Sequence, residues 1–189
     1  MNHRHTFTVP ALLLATMLPS LAAAEMHPNT RHGWLVGFGA GGGSAGLSSG
    51  GSSSDREGGF AGSFRLGYAF QPQISLELNS TAWTKEQSGT TTTFSVGTVA
   101  LNYFPGGSGF VLRGGVGGGS ADVSQSAGNQ TISASESGFG FALGAAYEFR
   151  VLRTFALSPQ IDYSWMTLSE FDANYVNFEL GFNWYFIPK

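Results

Sequence analysis

The chain has 189 residues, no cysteine and a formal net charge of −3. The missing thiols exclude a disulfide framework and thiolate metal sites, and the weak negative balance argues against a nucleic-acid partner. With 14% aromatic residues the chain is too rich in large apolar rings for a disordered polypeptide.

Residues 1–24 read as a cleaved export signal. Arg4 supplies the fixed positive charge, residues 9–21 an apolar run, and Ala22, Ala23 and Ala24 the small residues of a cleavage site. The run is shorter than the roughly 20 apolar residues a spanning helix needs, and Pro10 and Pro19 interrupt it. Residues 25–32 form a polar lead-in, and residues 33–189 are expected to form one domain.

From residue 33 the pattern has the period of two that marks a strand. In residues 33–43, Trp34, Val36, Phe38 and Ala40 face one way and Gly37, Gly39 and Gly41 the other. In residues 59–70, Phe64, Leu66, Tyr68 and Phe70 oppose Ser63, Arg65, Gly67 and Ala69. Residues 73–84 set Ile74, Leu76 and Leu78 against Ser75, Glu77 and Asn79; Trp83 falls out of phase and is assigned to a bulge. In residues 92–104, Val99, Leu101 and Tyr103 are in phase, but Phe94 and Val96 are not, so a bulge or bend is expected near Gly97.

The second half repeats the theme. Leu112 and Val116 oppose Arg113, Gly115 and Gly117. Phe139, Phe141, Leu143 and Ala145 oppose Gly140, Ala142, Gly144 and Glu148. Ile161, Tyr163 and Trp165 oppose Gln160, Asp162 and Ser164. The closing segment is the most regular, with Val176, Phe178, Leu180, Phe182, Trp184 and Phe186 against Asn177, Glu179, Gly181, Asn183 and Tyr185. These segments predict an all-β, eight-stranded antiparallel up-and-down transmembrane barrel. Mean hydropathy is near zero, +0.01, as it must be when only every second residue meets lipid.

Connections alternate in length. Residues 71–73, 105–109 and 150–154 are short, while 44–58, 85–91, 121–137 and 167–173 are longer and rich in Ser, Gly and Thr. Short periplasmic turns and long outer loops are the habit of outer-membrane barrels. On that topology Trp34, Tyr68, Phe70, Phe104, Phe110, Tyr147, Phe149, Phe155, Trp184 and Phe186 predict one aromatic girdle. Phe60, Phe94, Phe139, Trp165 and Tyr175 predict the other.

The closing alternation that ends in Phe182, Trp184 and Phe186 resembles the C-terminal signature of outer-membrane β-barrel proteins. The glycine-alternating segments 33–41 and 138–149 resemble the small OmpA-type barrel domain. The resemblance implies a bacterial outer-membrane location, contact with outer-membrane lipid, and recognition of Phe182, Trp184 and Phe186 by the barrel-assembly machinery.

The polar faces collect Arg65, Glu77, Arg113, Glu148, Asp162 and Glu179, which predicts a charge network inside the lumen. Slipping a strand by one residue would move those charges into hydrocarbon, so they pin the register. Arg65 and Glu77 flank one short turn and are the expected direct pair; two arginines among four acids leave an excess of negative charge. The segment from Gly37 to Gly42 matches G-x-G-x-x-G, but a strand pattern rather than a helix follows, so it lacks the context of a nucleotide site. The four histidines all precede the first strand. No catalytic, metal or cofactor site is therefore expected.

The leading reading is a non-enzymatic outer-membrane barrel with a plugged polar interior, acting in envelope structure or surface interaction through its loops. A small ion channel or porin, and a soluble lipocalin-like ligand-binding barrel, stand as alternatives. An acyl-modifying enzyme is a more distant one.

Overall fold

The computed structural model describes residues 31–49, 52–127 and 130–186. The expected signal, most of the lead-in, and residues 50–51, 128–129 and 187–189 lie outside the described residues. In chain order the strands are β1 (Gly33–Ser49), β2 (Ser52–Ser53), β3 (Glu57–Gln71), β4 (Ile74–Gln87), β5 (Thr90–Tyr103), β6 (Phe110–Ala127), β7 (Gln130–Tyr147), β8 (Phe149–Leu152), β9 (Phe155–Thr167) and β10 (Asp172–Phe186). β2 is a two-residue rung on the end of β1, and β8 continues β7 past a break at Glu148. Eight staves therefore make the wall.

Each stave runs antiparallel to the next, and β10 pairs with both β9 and β1, so the sheet closes without an edge. Closure removes the unpaired backbone row that an open sheet would present. The break at Glu148 has a local cause. Register on either side, Ala146↔Gln160 and Phe149↔Leu157, sets Pro159 opposite Tyr147, and proline brings no N–H to the ladder.

The strands outrun the alternation that announced them. β6 and β7 stay paired from Phe110↔Tyr147 to Ala127↔Gln130 without a shift, so most of the expected loop 121–137 is a hairpin rising above the barrel. Ladder hydrogen bonds come from the backbone, and runs of Ser, Gly, Ala and Thr supply them without an apolar face.

The expected bulges at Trp83 and near Gly97 do not occur. β4 and β5 pair in one register from Ile74↔Tyr103 to Gln87↔Thr90, and β5 and β6 do the same along their shared length. Trp83, Phe94 and Val96 keep phase and point inward, where all three are buried. Phe94, Phe104 and Tyr175 also leave the girdles to which they were assigned, because each is enclosed by the wall. The alternation is intact at these positions; what changes is the chemistry of the interior, which turns from ionic to apolar toward the long-loop rim.

The two faces of the wall are otherwise sharply divided. Leu78 (59% exposed), Val116 (60%), Leu143 (54%) and Phe178 (62%) stand on the outside, while the ionic side chains are inside. A soluble barrel holding an apolar ligand requires the reverse. At the short-turn rim, aromatic rings contact one another around the outer wall: Trp34 with Tyr68 at 5.5 Å, Tyr68 with Phe70 at 5.2 Å, and Phe155 with Trp184 at 5.0 Å.

Candidate functional site

The lumen is stacked in three layers. At mid-height lie the residues singled out by the polar alternation, with Arg65, Glu77, Arg113, Asp162 and Glu179 all buried. Arg113 donates through Nη1 to Asp162 Oδ1 at 2.9 Å and through Nε to Asn102 Oδ1 at 2.8 Å. Arg65 crosses the lumen and donates to Gln160 Oε1 at 2.9 Å, and the Gln160 amide then donates to Glu179 Oε2 at 2.8 Å. Glu179 also accepts from Ser63, while Glu77 accepts from Ser75 Oγ at 2.9 Å.

Arg65 and Glu77 do not form the expected pair. The ion pairs among the described residues are Arg31–Glu148, Lys85–Glu57 and Arg113–Asp162. Arg65 lies opposite Asn79 in the ladder and Glu77 opposite Gly67, so Glu77 sits two residues nearer the short-turn mouth. Position along neighbouring strands does not decide which side chains meet across a closed tube.

The inner glycines make room for these groups. A Cβ at Gly39 would collide with Glu179 Oε2 and Ser63 Oγ, and one at Gly41 with the backbone carbonyl of Phe178. The G-x-G-x-x-G match is therefore a stretch of β1 whose inner positions lie under the charge network.

The short-turn mouth holds a second group, in which Glu148 and Tyr185 were marked by the alternation but the two arginines were not. Arg31 and Arg150 are both buried there, the first ion-paired to Glu148 at 2.9 Å and the second with its guanidinium 3.8 Å over the Tyr185 ring. Tyr185 OH donates to Glu148 Oε1 at 2.5 Å. With these two the buried ionic set counts four arginines and four acids among the described residues, so the expected negative excess is absent. Arg31 stands before the first strand, and Arg150 falls in the segment 150–154 read as a short connection, although it lies in β8 and pairs with Ala156; period-two reasoning assigned neither a face.

Above the charge network the lumen is apolar. Trp83 stacks on Phe94 at 5.5 Å with an interplanar angle of 15°. Val96, Met166 and Tyr175 pack into the same cluster. The Tyr175 hydroxyl lies 2.9 Å from Thr81 Oγ1 and donates to the Thr81 carbonyl at 2.8 Å, which joins the plug to the polar layer below. Over the plug a cup of about 230 Å³ opens at the long-loop rim, lined by Trp83 and Phe94 and by Asp55 and Glu57. His32 is exposed at the opposite rim, beside Tyr68.

Residues 11–186 match the family model described as outer membrane protein beta-barrel domain. The chain belongs to that family. It is an outer-membrane β-barrel protein of OmpA-like, transmembrane build. None of the curated proteins matches it significantly in sequence. Among solved structures it is similar in fold to Ail, the attachment invasion locus protein of Yersinia pestis, in complex with the heparin analogue sucrose octasulfate. That match has 14% identity and a TM-score of 0.57, covering 80% of this chain and 99% of the other. It is also similar to Neisserial surface protein A, with 18% identity and a TM-score of 0.57, covering 83% and 99%.

In this family's setting the exposed apolar wall faces acyl chains, and the short-turn rim with both ends of the sheet faces the periplasm. The layers of the lumen then read, from periplasm to exterior, as an arginine-rich mouth, a polar network and an aromatic plug.

Proposed function

We propose that the protein is a non-enzymatic, non-conducting element of the outer membrane that serves the envelope by presenting its long-loop rim to the exterior. The observation that carries this reading is the filling of the lumen. A hydrogen-bonded charge network occupies mid-height, and the Trp83–Phe94 stack sits directly above it. An eight-stranded barrel has little room beyond its own side chains.

Export rests on residues 1–24 as a cleaved signal, and assembly on Phe182, Trp184 and Phe186 as the signature read by the assembly machinery. Support for the second comes from β10, where Trp184 and Phe186 stand exposed on the outer wall beside the β1 seam.

The rim chemistry narrows the partner. Asp55, Glu57, Glu86, Asp122, Glu136, Glu170 and Asp172 lie toward the exterior, against Arg56 and Lys85. Such a field favours a cationic or neutral partner over a polyanion of the kind seen with Ail. Purified protein in planar bilayers is expected to give no single-channel steps. Steady cation-selective conductance would replace this reading with the channel one.

A further inference from the structure

Arg31 belongs to no strand. It precedes β1 by two residues, turns into the periplasmic mouth and is completely buried there. Its Nε donates to Glu148 Oε2 at 2.9 Å. Its Nη1 reaches the carbonyls of Gly107, at 3.3 Å, and Pro72, at 3.5 Å. The guanidinium carbon sits 3.8 Å over the Phe104 ring centroid.

These partners come from three places around the mouth. Pro72 lies in the turn between β3 and β4, Phe104 and Gly107 in the connection between β5 and β6, and Glu148 at the junction of β7 and β8. Burying a charge costs several kcal/mol unless it is paired and hydrogen-bonded. Here an aromatic face, a carboxylate and two inward carbonyls all converge on one planar cation. Neither wall pairing nor the mid-height network uses Arg31: the ladder starts at Gly33, and Arg113 already has Asp162.

We infer that the periplasmic mouth is a guanidinium-binding socket, filled by the chain's own Arg31. Arg31 acts as a stopper that shuts the lower lumen off from periplasmic solutes. The socket's ligand class is a planar guanidinium cation; the carboxylate and ring select for charge and flatness, and the turn carbonyls for multiple N–H donors. This goes beyond loop presentation and is independent of conductance, since the aromatic plug closes the other end regardless.

The absence of cysteine allows a clean test. Ser75 is buried, one residue inside the periplasmic end of β4, and its hydroxyl faces the lumen, where it accepts from Asn102 at 3.2 Å. Full-length protein carrying Ser75→Cys, folded in lipid vesicles, is treated with a small water-soluble thiol reagent. With Arg31 present the thiol is expected to react slowly. With Arg31→Ala it is expected to react about tenfold faster or more, the effect of losing a charge-assisted buried contact on local opening. Added guanidinium chloride at tens of millimolar, below denaturing levels, is expected to slow the reaction again, while sodium chloride at equal concentration leaves it fast. Arg31→Lys keeps the charge without the fork and is expected to fall between. Equal rates with and without the Arg31→Ala substitution, in protein that keeps its unheated gel mobility, overturn the proposal. Should Arg31→Ala not fold, equal rates for Arg31→Lys and the parent overturn it. A silent bilayer recording with unchanged labelling would sink the stopper alone, and a conducting one the loop-presentation reading.

Discussion

Arg113 and Asp162 meet at 2.9 Å across a strand that lies between them. Arg113 is on β6, Asp162 on β9, and the residue between them in the ladder is Gly144 of β7. A Cβ at Gly144 would collide with Asp162 Oδ1. The pair exists because the intervening strand offers no side chain at that rung.

Breaking this pair by Asp162→Ala should cost about 3–5 kcal/mol, because it strands a buried guanidinium. The double substitution Arg113→Met, Asp162→Leu should recover most of that loss, since a packed apolar pair needs no counter-charge. Urea titration of the barrel refolded in lipid vesicles measures both. A double variant as unstable as the single one would show that the two groups are not coupled.

Gly144→Val should fail in the same direction. The added carbons must displace the Asp162 carboxylate, so the expected loss approaches that of Asp162→Ala. Gly114, whose nearest neighbour to an added Cβ is the flexible Leu143 side chain at 3.6 Å, should accept alanine with little change. The comparison separates close approach from general strand propensity.

The tryptophans offer an optical test of orientation. Trp83 is 1% exposed inside the plug, whereas Trp34 and Trp184 are 57% and 40% exposed on the outer wall. In single-tryptophan variants refolded into brominated lipid, Trp184 emission should be strongly quenched and Trp83 emission largely retained. Trp83→Ala should also cost about 3–5 kcal/mol, as large-to-small changes of buried aromatics do. Comparable quenching of both residues would contradict the lumenal position.

The outer wall should reject charge. Leu143→Arg places a guanidinium among acyl chains one residue from Gly144 and should cost about 2–4 kcal/mol near mid-membrane. Folding yield into vesicles, read as the unheated gel band, should fall accordingly.

Phe186→Ala tests the assembly signature. Yield of folded barrel in cells should drop, while folding of the purified chain into detergent stays close to the parent, because Phe186 is 60% exposed and fills no core position. Equal losses in both settings would assign the residue to barrel stability instead.

What could be read in advance was the division between faces. Leu143 beside Gly144 and Phe178 beside Glu179 announce which way each strand turns, because a strand's side chains alternate whatever it packs against. The same logic marked Arg65, Glu77, Arg113, Glu148, Asp162 and Glu179 as one inner set without saying who touches whom.

It misjudged Trp83, Phe94 and Val96 because it assumed a single chemistry for the inner face. Alternation reports a change of side and is silent about whether the enclosed side is ionic or greasy at a given height. Arg31 and Arg150 escaped notice for other reasons: Arg31 precedes β1 and has no assigned face, yet a narrow mouth draws it in, and Arg150 lies in β8, a stretch that the sequence reads as a turn.

The order of residues alone therefore determined the strand period, the number of staves, the outward apolar band and the inward placement of charge, since each follows from local geometry and the cost of hydrocarbon contact. Partnership was decided only by closure. Once β10 meets β1, the stagger of the ladders sets the height of every inner group on a strand; that stagger brings Arg65 to Gln160 and Arg113 to Asp162, and closure forms the mouth in which Arg31, outside the ladder, meets Glu148.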